Sequence, residues 1–419
     1  MGDVQRTLDG VWRIESARLI AGVARLVRDV GVAEDLAQEA FVAALEQWPE
    51  SGVPDNPGAW LMATAKHRGI DRLRRAGVHD RKTQELAREI ERLGENEPPD
   101  LATAMDDPFD DDLLRLMFTA CHPVLSTDAR VALTLRLLGG LTTPEIARAY
   151  LVPEATVAQR IVRAKRTLSA ARVPFEVPNR QELAGRLTSV LEVIYLVFNE
   201  GYAATAGEQW LRPELLEEAL RLGRVLAELL PAEAEVHGLV ALMELQASRA
   251  RARVGPRGAP ILLLEQDRSR WDWMLVRRGL AALDRAHGTR GPLGPYTLQA
   301  AIAACHARAR TAEDTDWERI VALYDGLAQL TPSPVVELNR AVAIGMAYGP
   351  AAALELVDAI GEEPALREYH LLPTVRGDLL EKLGRTAEAS REFERAAALT
   401  RNARERAVLL GRMAACASN

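Results

Sequence analysis

The sequence predicts an all-α protein of several domains. Ala, Leu, Glu and Arg dominate a chain in which aromatics make up only 5%, and most of these residues lose little on entering a helix. Apolar residues recur at three- and four-residue spacing, and strand-like alternation is hard to find. At 419 residues the chain is too long for one core, so two or three domains are expected. No apolar run reaches membrane-spanning length and no charged-then-apolar leader opens the sequence, so a cytoplasmic protein without a membrane partner is expected. Cys121, Cys305 and Cys416 are too scattered for a disulfide framework or a zinc site, and no cofactor is expected.

The formal net charge of −7 hides an uneven distribution. Lys66, Arg68, Arg72, Arg74, Arg75, Arg81 and Lys82 form a basic block interrupted only by Asp71 and Asp80. From Glu85 to Asp112 the balance reverses, eleven acidic residues standing against Arg88 and Arg92. Basic character returns over residues 159–166. Two basic blocks on either side of an acidic linker suggest two contacts with nucleic acid, not one diffuse patch.

Residues 11–47 read as two helices. Ile14, Leu19, Ile20, Val23, Leu26 and Val27 supply the apolar side of the first, and Gly31 is expected to break it. The second, VAEDLAQEAFVAALEQW, is built around Val32, Leu36, Ala40, Phe41 and Leu45. Its acidic and polar face carries Asp35, Gln38, Glu39 and Glu46, which by itself reads as a solvated face. Residues 49–57 are rich in proline and turn formers and read as a loop. A third helix, AWLMATAKHRGIDRLRR, turns Trp60, Leu61, Ala65, Ile70 and Leu73 inward and its basic residues outward.

Residues 141–168, LTTPEIARAYLVPEATVAQRIVRAKRTL, read as two short helices about a tight turn. Thr142 and Glu145 form a capping box, with Pro144 in the first turn where a missing N–H costs nothing. Pro153 ends one helix and can begin the next. Val157, Ile161 and Leu168 repeat at helical spacing and leave Gln159, Arg160, Arg163, Lys165 and Arg166 on another face. This is the layout of a DNA-reading helix-turn-helix; an ordinary helical hairpin with a solvated basic face is the plain alternative.

DLAQEAFVAAL, a short polar loop and NPGAWLMATAKHRGIDRLRR together resemble region 2 of the extracytoplasmic-function sigma factors of bacterial RNA polymerase. The helix-turn-helix, preceded by a helix over roughly residues 111–138, resembles their region 4. The resemblance implies domains at residues 8–76 and 111–172 joined by an acidic linker at 77–110. It implies that Asp35, Gln38 and Glu39 dock on the clamp helices of the β′ subunit of core RNA polymerase, the β flap being a second contact. Asp55 and Asn56, in the loop before the third helix, correspond to the part that traps a base flipped from the −10 element, though turn formation explains both equally well. Trp60 could stack on that base, but among apolar neighbours it reads as core. Lys66, Arg68, Arg72, Arg74 and Arg75 would meet phosphates there, giving affinity and salt dependence but little sequence choice. In region 4 the candidates for reading −35 bases are Glu154, Thr156, Gln159 and Arg160, since glutamine can pair with adenine, arginine with guanine and glutamate with cytosine. Arg163, Lys165 and Arg166 lie further along and would hold backbone. No catalytic role is implied: such a factor directs polymerase to promoter DNA and helps open it.

Pro174 and Pro178 end this part, and a second all-helical domain is expected over residues 180–419. Gly349 and Gly384 lie thirty-five residues apart, each followed three residues later by alanine, Ala352 and Ala387. RGDLLEKLGRTAEASREFERAAALT has the residue placement of a tetratricopeptide repeat, whose period is about 34 residues. Earlier segments fit poorly, so the domain is repeat-like, a stack of paired helices with a concave face. YLVFNEGY, LEQDRSRWD, GPYTLQAAIAACHA and PVVELNRAVA resemble the C-terminal extension of one subgroup of these sigma factors. That resemblance implies a tetratricopeptide-like extension that regulates the factor in place of a separate anti-sigma protein.

Asn199, Glu200, Tyr202, Asp267, Arg268, Trp271, Asn339 and Arg340 have two readings. They line one groove for a protein or small-molecule signal, or they are buried polar pairs that lock helices together. His122 beside Cys121 and His306 beside Cys305 do not read as metal ligands, because neighbours on a helix diverge and no further ligands lie at useful spacing. Two other functions fit parts of the chain. One is a stand-alone helix-turn-helix regulator with a sensing domain, which would need neither the 32–75 block nor polymerase. The other is an enzyme in the C-terminal half, for which the sequence offers no nucleophile–base pair, phosphate loop or ligand cluster.

Overall fold

A computed structural model describes residues 2–75, 109–150, 152–179, 181–203, 211–255, 261–289 and 293–417. Among these the secondary structure is helical, with no β-strand, in accord with the all-α prediction. The acidic linker, like Arg81 and Lys82, lies almost wholly outside the described residues. The chain divides into two compact units, Met1–Leu196 and Val197–Asn419.

In the first unit α1 (Gly2–Val27), α2 (Val30–Ser51) and α3 (Pro57–Arg75) each pack on the other two. Leu19, Ile20, Val23, Leu36, Ala40, Leu61, Ala65 and Ile70 are buried as their spacing predicts. Ile14 is a correction: it is 71% exposed, because Ala17, Ile20, Val23 and Ala24 define an inward stripe from which it is turned away. The break between α1 and α2 falls at Arg28–Asp29 instead of Gly31. Arg28 takes φ 55, and the Asp29 carboxylate caps α2, accepting from the Gly31 and Val32 N–H at 2.8 and 3.0 Å. Helix α2 also continues through Pro49, so the loop shortens to residues 52–56. Trp48, 1% exposed, anchors that end edge-on against Trp60 at 5.4 Å, so Trp60 packs on the core as read.

The single helix expected over 111–138 is two, α4 (Phe109–Ala120) and α5 (Thr127–Leu137). Pro123 cannot extend α4, and the turn is held by the Val124 N–H donating to His122 Nδ1 at 3.1 Å. Helices α6 (Thr143–Tyr150) and α7 (Glu154–Ala170) follow. The capping box is in place: Glu145 Oε2 accepts from the Thr142 N–H at 2.7 Å, and Thr142 Oγ1 accepts from the Glu145 N–H at 3.3 Å. Val157, Ile161, Ala164 and Leu168 are buried on the side of α7 that packs against α5 and α6.

The division between units falls inside α8 (Leu183–Tyr202), not near Arg180 as the prolines suggested. The reason is packing. Arg186 donates to the Phe118 carbonyl at 2.8 Å, Ser189 donates to the Cys121 carbonyl at 2.6 Å, and Arg130 pairs with Glu192 at 2.9 Å. The early turns of α8 are therefore tied to α4, α5 and the turn between them.

The second unit runs through α9 (Pro213–Leu229), α10 (Ala234–Ala247), α11 (Trp273–Gly288), α12 (Pro295–Arg308) and α13 (Trp317–Leu330). It ends with α14 (Pro334–Tyr348), α15 (Pro350–Ala359), α16 (Leu371–Lys382), α17 (Thr386–Leu399) and α18 (Ala403–Ala417). From α12 onward each helix packs on the next. Gly349 at φ +102 and Gly384 at φ +74 turn α14 into α15 and α16 into α17, which is the physical content of their spacing. Gly377 lets α16 approach Phe393 so closely that a Cβ there would meet the ring at 2.8 Å.

Candidate nucleic-acid interface

Gln159, Arg163 and Arg166 are exposed and follow one another at i, i+4 and i+7 on α7, forming one outward stripe. Glu154 is exposed at the start of that helix and Thr156 is half-buried. Arg160 is half-buried and pairs with Asp128 at 2.7 Å. Lys165 departs from the expected face. The buried stripe Val157–Ile161–Ala164–Leu168 carries Lys165 on its flank, turned to the Glu34 carboxylate on α2.

On α3, Arg72, Arg74 and Arg75 are exposed, while Lys66 and Arg68 are half-buried. Arg68 meets Glu39 at 3.3 Å, and Arg75 Nε donates to the Asp71 carbonyl at 3.2 Å. Both side chains of the Arg68–Glu39 pair reach solvent, so it restrains neither residue strongly. Asp55 and Asn56 are exposed, and Asn56 Oδ1 accepts from the Ala59 N–H at 3.0 Å. Asn56 thus starts α3, the turn role that the sequence reading allowed. Of the acidic face of α2, Asp35 and Glu39 are exposed, and Gln38 donates to Glu34 Oε1 at 2.7 Å.

Sequence reasoning missed Glu34. Its side chain is 3% exposed and takes Arg136 Nε at 2.6 Å as well as Lys165. The signal was there: Glu34 occupies a position on the Val30–Ala33–Ala37–Ala40 stripe of α2, where an unpaired acid could not be buried.

Three segments of the chain match family models. Residues 14–78 match sigma-70 region 2, residues 115–168 match sigma-70 region 4, and residues 186–287 match a family of unknown function (DUF6596). The probable RNA polymerase sigma-C factor of Mycobacterium bovis is 30% identical over 41% of this chain and 82% of its own length. The ECF sigma factor SigC of Mycobacterium tuberculosis matches to the same extent, and the chain belongs to the ECF sigma factors. The probable ECF sigma factor SigI of Mycobacterium tuberculosis is 28% identical over 42% of this chain, which spans 58% of its length. An uncharacterized protein of Rhizobium meliloti is 46% identical over 92% of this sigma factor and 90% of its own length. The exposed stripe on α7 lies within the region 4 match, and the basic residues of α3 lie within the region 2 match.

The polar residues of this sigma factor's second unit fall into separate groups. Glu200 and Arg212 form a buried pair at 2.8 Å. Arg253 lies 3.7 Å from the centre of the Tyr202 ring, and Arg268 lies 4.7 Å from that of Trp271, itself 3% exposed. Asp267 is exposed and caps a short turn by accepting from the Ser269 N–H at 2.9 Å. Arg340 pairs with Asp325 and Glu337 at 2.6 and 3.0 Å, and its neighbour Asn339 is exposed. Glu200 and Arg212 fit the lock reading. Burial, with Arg249 and Arg268 close by, pushes the His306 imidazole down to about 4. Burial raises the Cys121 thiol to about 11.

Proposed function

We propose that this sigma factor binds core RNA polymerase through the exposed acids of α2 and reads promoter DNA through α3 and α7. The observation that carries the reading is the α7 stripe of Gln159, Arg163 and Arg166, presented in the same compact unit as the exposed Asp35 and Glu39. Glu154, Thr156, Gln159 and Arg160 meet −35 bases, and Arg163 and Arg166 hold the backbone, joined by Lys165 once it leaves Glu34. Arg72, Arg74 and Arg75, with Lys66 and Arg68, meet phosphates around the −10 element, and Asp55 and Asn56 border the flipped base. Because these contacts are made with phosphates, binding should weaken steeply with salt.

The test is run-off transcription with purified core enzyme added. A product of defined length from a cognate promoter is expected; promoter binding with no co-purifying polymerase and no run-off would favour the stand-alone regulator. The C-terminal unit acts in this reading as a regulator of the first. Output from a chain ending after Ala203, which retains α8, should differ from that of the full protein. Equal output and equal response to cellular conditions would remove the regulatory role.

A further inference from the structure

We propose that a carboxylate latch at Glu34 holds the first unit closed and keeps its DNA-reading helix engaged with its polymerase-facing helix. The proposal rests on the sigma reading above. Glu34 lies on α2 one residue before the exposed Asp35. Its carboxylate accepts from Arg136 Nε of α5 at 2.6 Å and from Gln38 Nε2 at 2.7 Å, and it pairs with Lys165 Nζ of α7. Arg136 in turn donates to the Leu141 carbonyl at 3.2 Å, at the start of the helix-turn-helix. One buried acid therefore ties α2 to both flanks of the reading head. The fit is close: the Lys165 stem crosses Gly31, where a Cβ would stand 3.4 Å from Lys165 Cδ. A second tie joins α1 to α4, where Asp112, its side chain 2% exposed, meets Arg25 at 3.3 Å and Arg115 at 2.6 Å.

A buried carboxylate is tolerated only while its cations remain. Separation of α7 from α2 therefore requires Glu34 to be rehydrated. While closed, Lys165 neutralises Glu34 and cannot meet a phosphate. Lys165 Nζ also stands 4.0 Å from Asp35, so α7 lies over ground next to the polymerase-facing acids. Polymerase docking and DNA docking each favour the open form, so each promotes the other. A closed population lowers apparent DNA affinity by the open fraction.

The full chain carrying Glu34→Gln removes the charge and nearly keeps the shape. Its affinity for a promoter duplex without polymerase, read by fluorescence anisotropy, should rise about tenfold if the native chain is open one time in ten. Its radius of gyration in X-ray scattering should increase. Glu50→Gln removes an exposed charge from the same helix and controls for net charge, staying within about twofold of the native affinity. A folded Glu34→Gln protein with native affinity and native radius overturns the latch, as does an equal rise in Glu50→Gln. If Glu34→Gln does not fold, Arg136→Gln and Lys165→Gln are compared by scattering: expansion supports the latch and a native radius overturns it. Run-off transcription separates the two ideas. Transcription by the native chain with no change in Glu34→Gln sinks the latch alone, whereas expansion without any transcription supports the latch and sinks the sigma reading.

Discussion

At the scale of single residues, the exposure of Gln159 and Arg166 and the pairing of Arg160 assign different consequences to their loss. Replacing Gln159 or Arg160 by alanine should change which −35 sequences are used, at about 1–3 kcal/mol per base contact. Replacing Arg166 should weaken all promoters alike and lower the salt slope by about one; a promoter panel with the reverse pattern would refute the assignment. His306 supplies a pH test. Its imidazole sits at about 4 in the fold and near 6.5 when unfolded. Below the unfolded value the unfolded chain takes up the proton first, so stability falls as pH drops from about 6.5 towards 4, by up to roughly 3 kcal/mol. Thermal midpoints of the native chain and His306→Gln, compared across that window, should show a shallower slope in the variant; parallel curves would argue against it. The buried Cys121 thiol, raised to about 11, should resist thiol reagents at neutral pH until the protein unfolds.

Individual elements stand on local devices that can be removed singly. Asp29 caps α2 while Arg28 carries the left-handed turn before it. Asp29→Ala should therefore cost about 1 kcal/mol, seen as a lower denaturant midpoint with an unchanged slope. Gly384 occupies φ +74 between α16 and α17, where an alanine costs about 1–2 kcal/mol. Gly384→Ala should destabilise the protein by that amount in equilibrium unfolding, whereas Gly185→Ala, inside α8 with open space around it, should not. These devices were legible beforehand to different degrees. The capping box at Thr142 and Glu145 is a spacing signal and stands as read. The break at Arg28–Asp29 was missed because a left-handed arginine leaves no mark in composition, whereas Gly31 offered an obvious but wrong one.

At the scale of the molecule, two compact units divide within one helix, and the first unit carries both sigma regions in contact. Lengthening or shortening the linker between α3 and α4 should change promoter output less than Glu34→Gln if the latch, and not the tether, limits opening. Loop-closure cost changes by only about 0.6 kcal/mol for each doubling of length, which makes run-off yield from a linker series a direct check.

The all-α class, the helix-turn-helix and the basic residues of α3 and α7 were readable from the sequence, because each depends on neighbours within a few turns. The partners of Glu34, the turning of Lys165 from the exposed stripe of α7 and the placement of the early α8 turns in the first unit were decided only by tertiary structure. A charged residue flanking an apolar stripe is equally consistent with solvent and with a distant counter-ion. Arg136 lies about a hundred residues from Glu34 along the chain, and only packing brings their charges together.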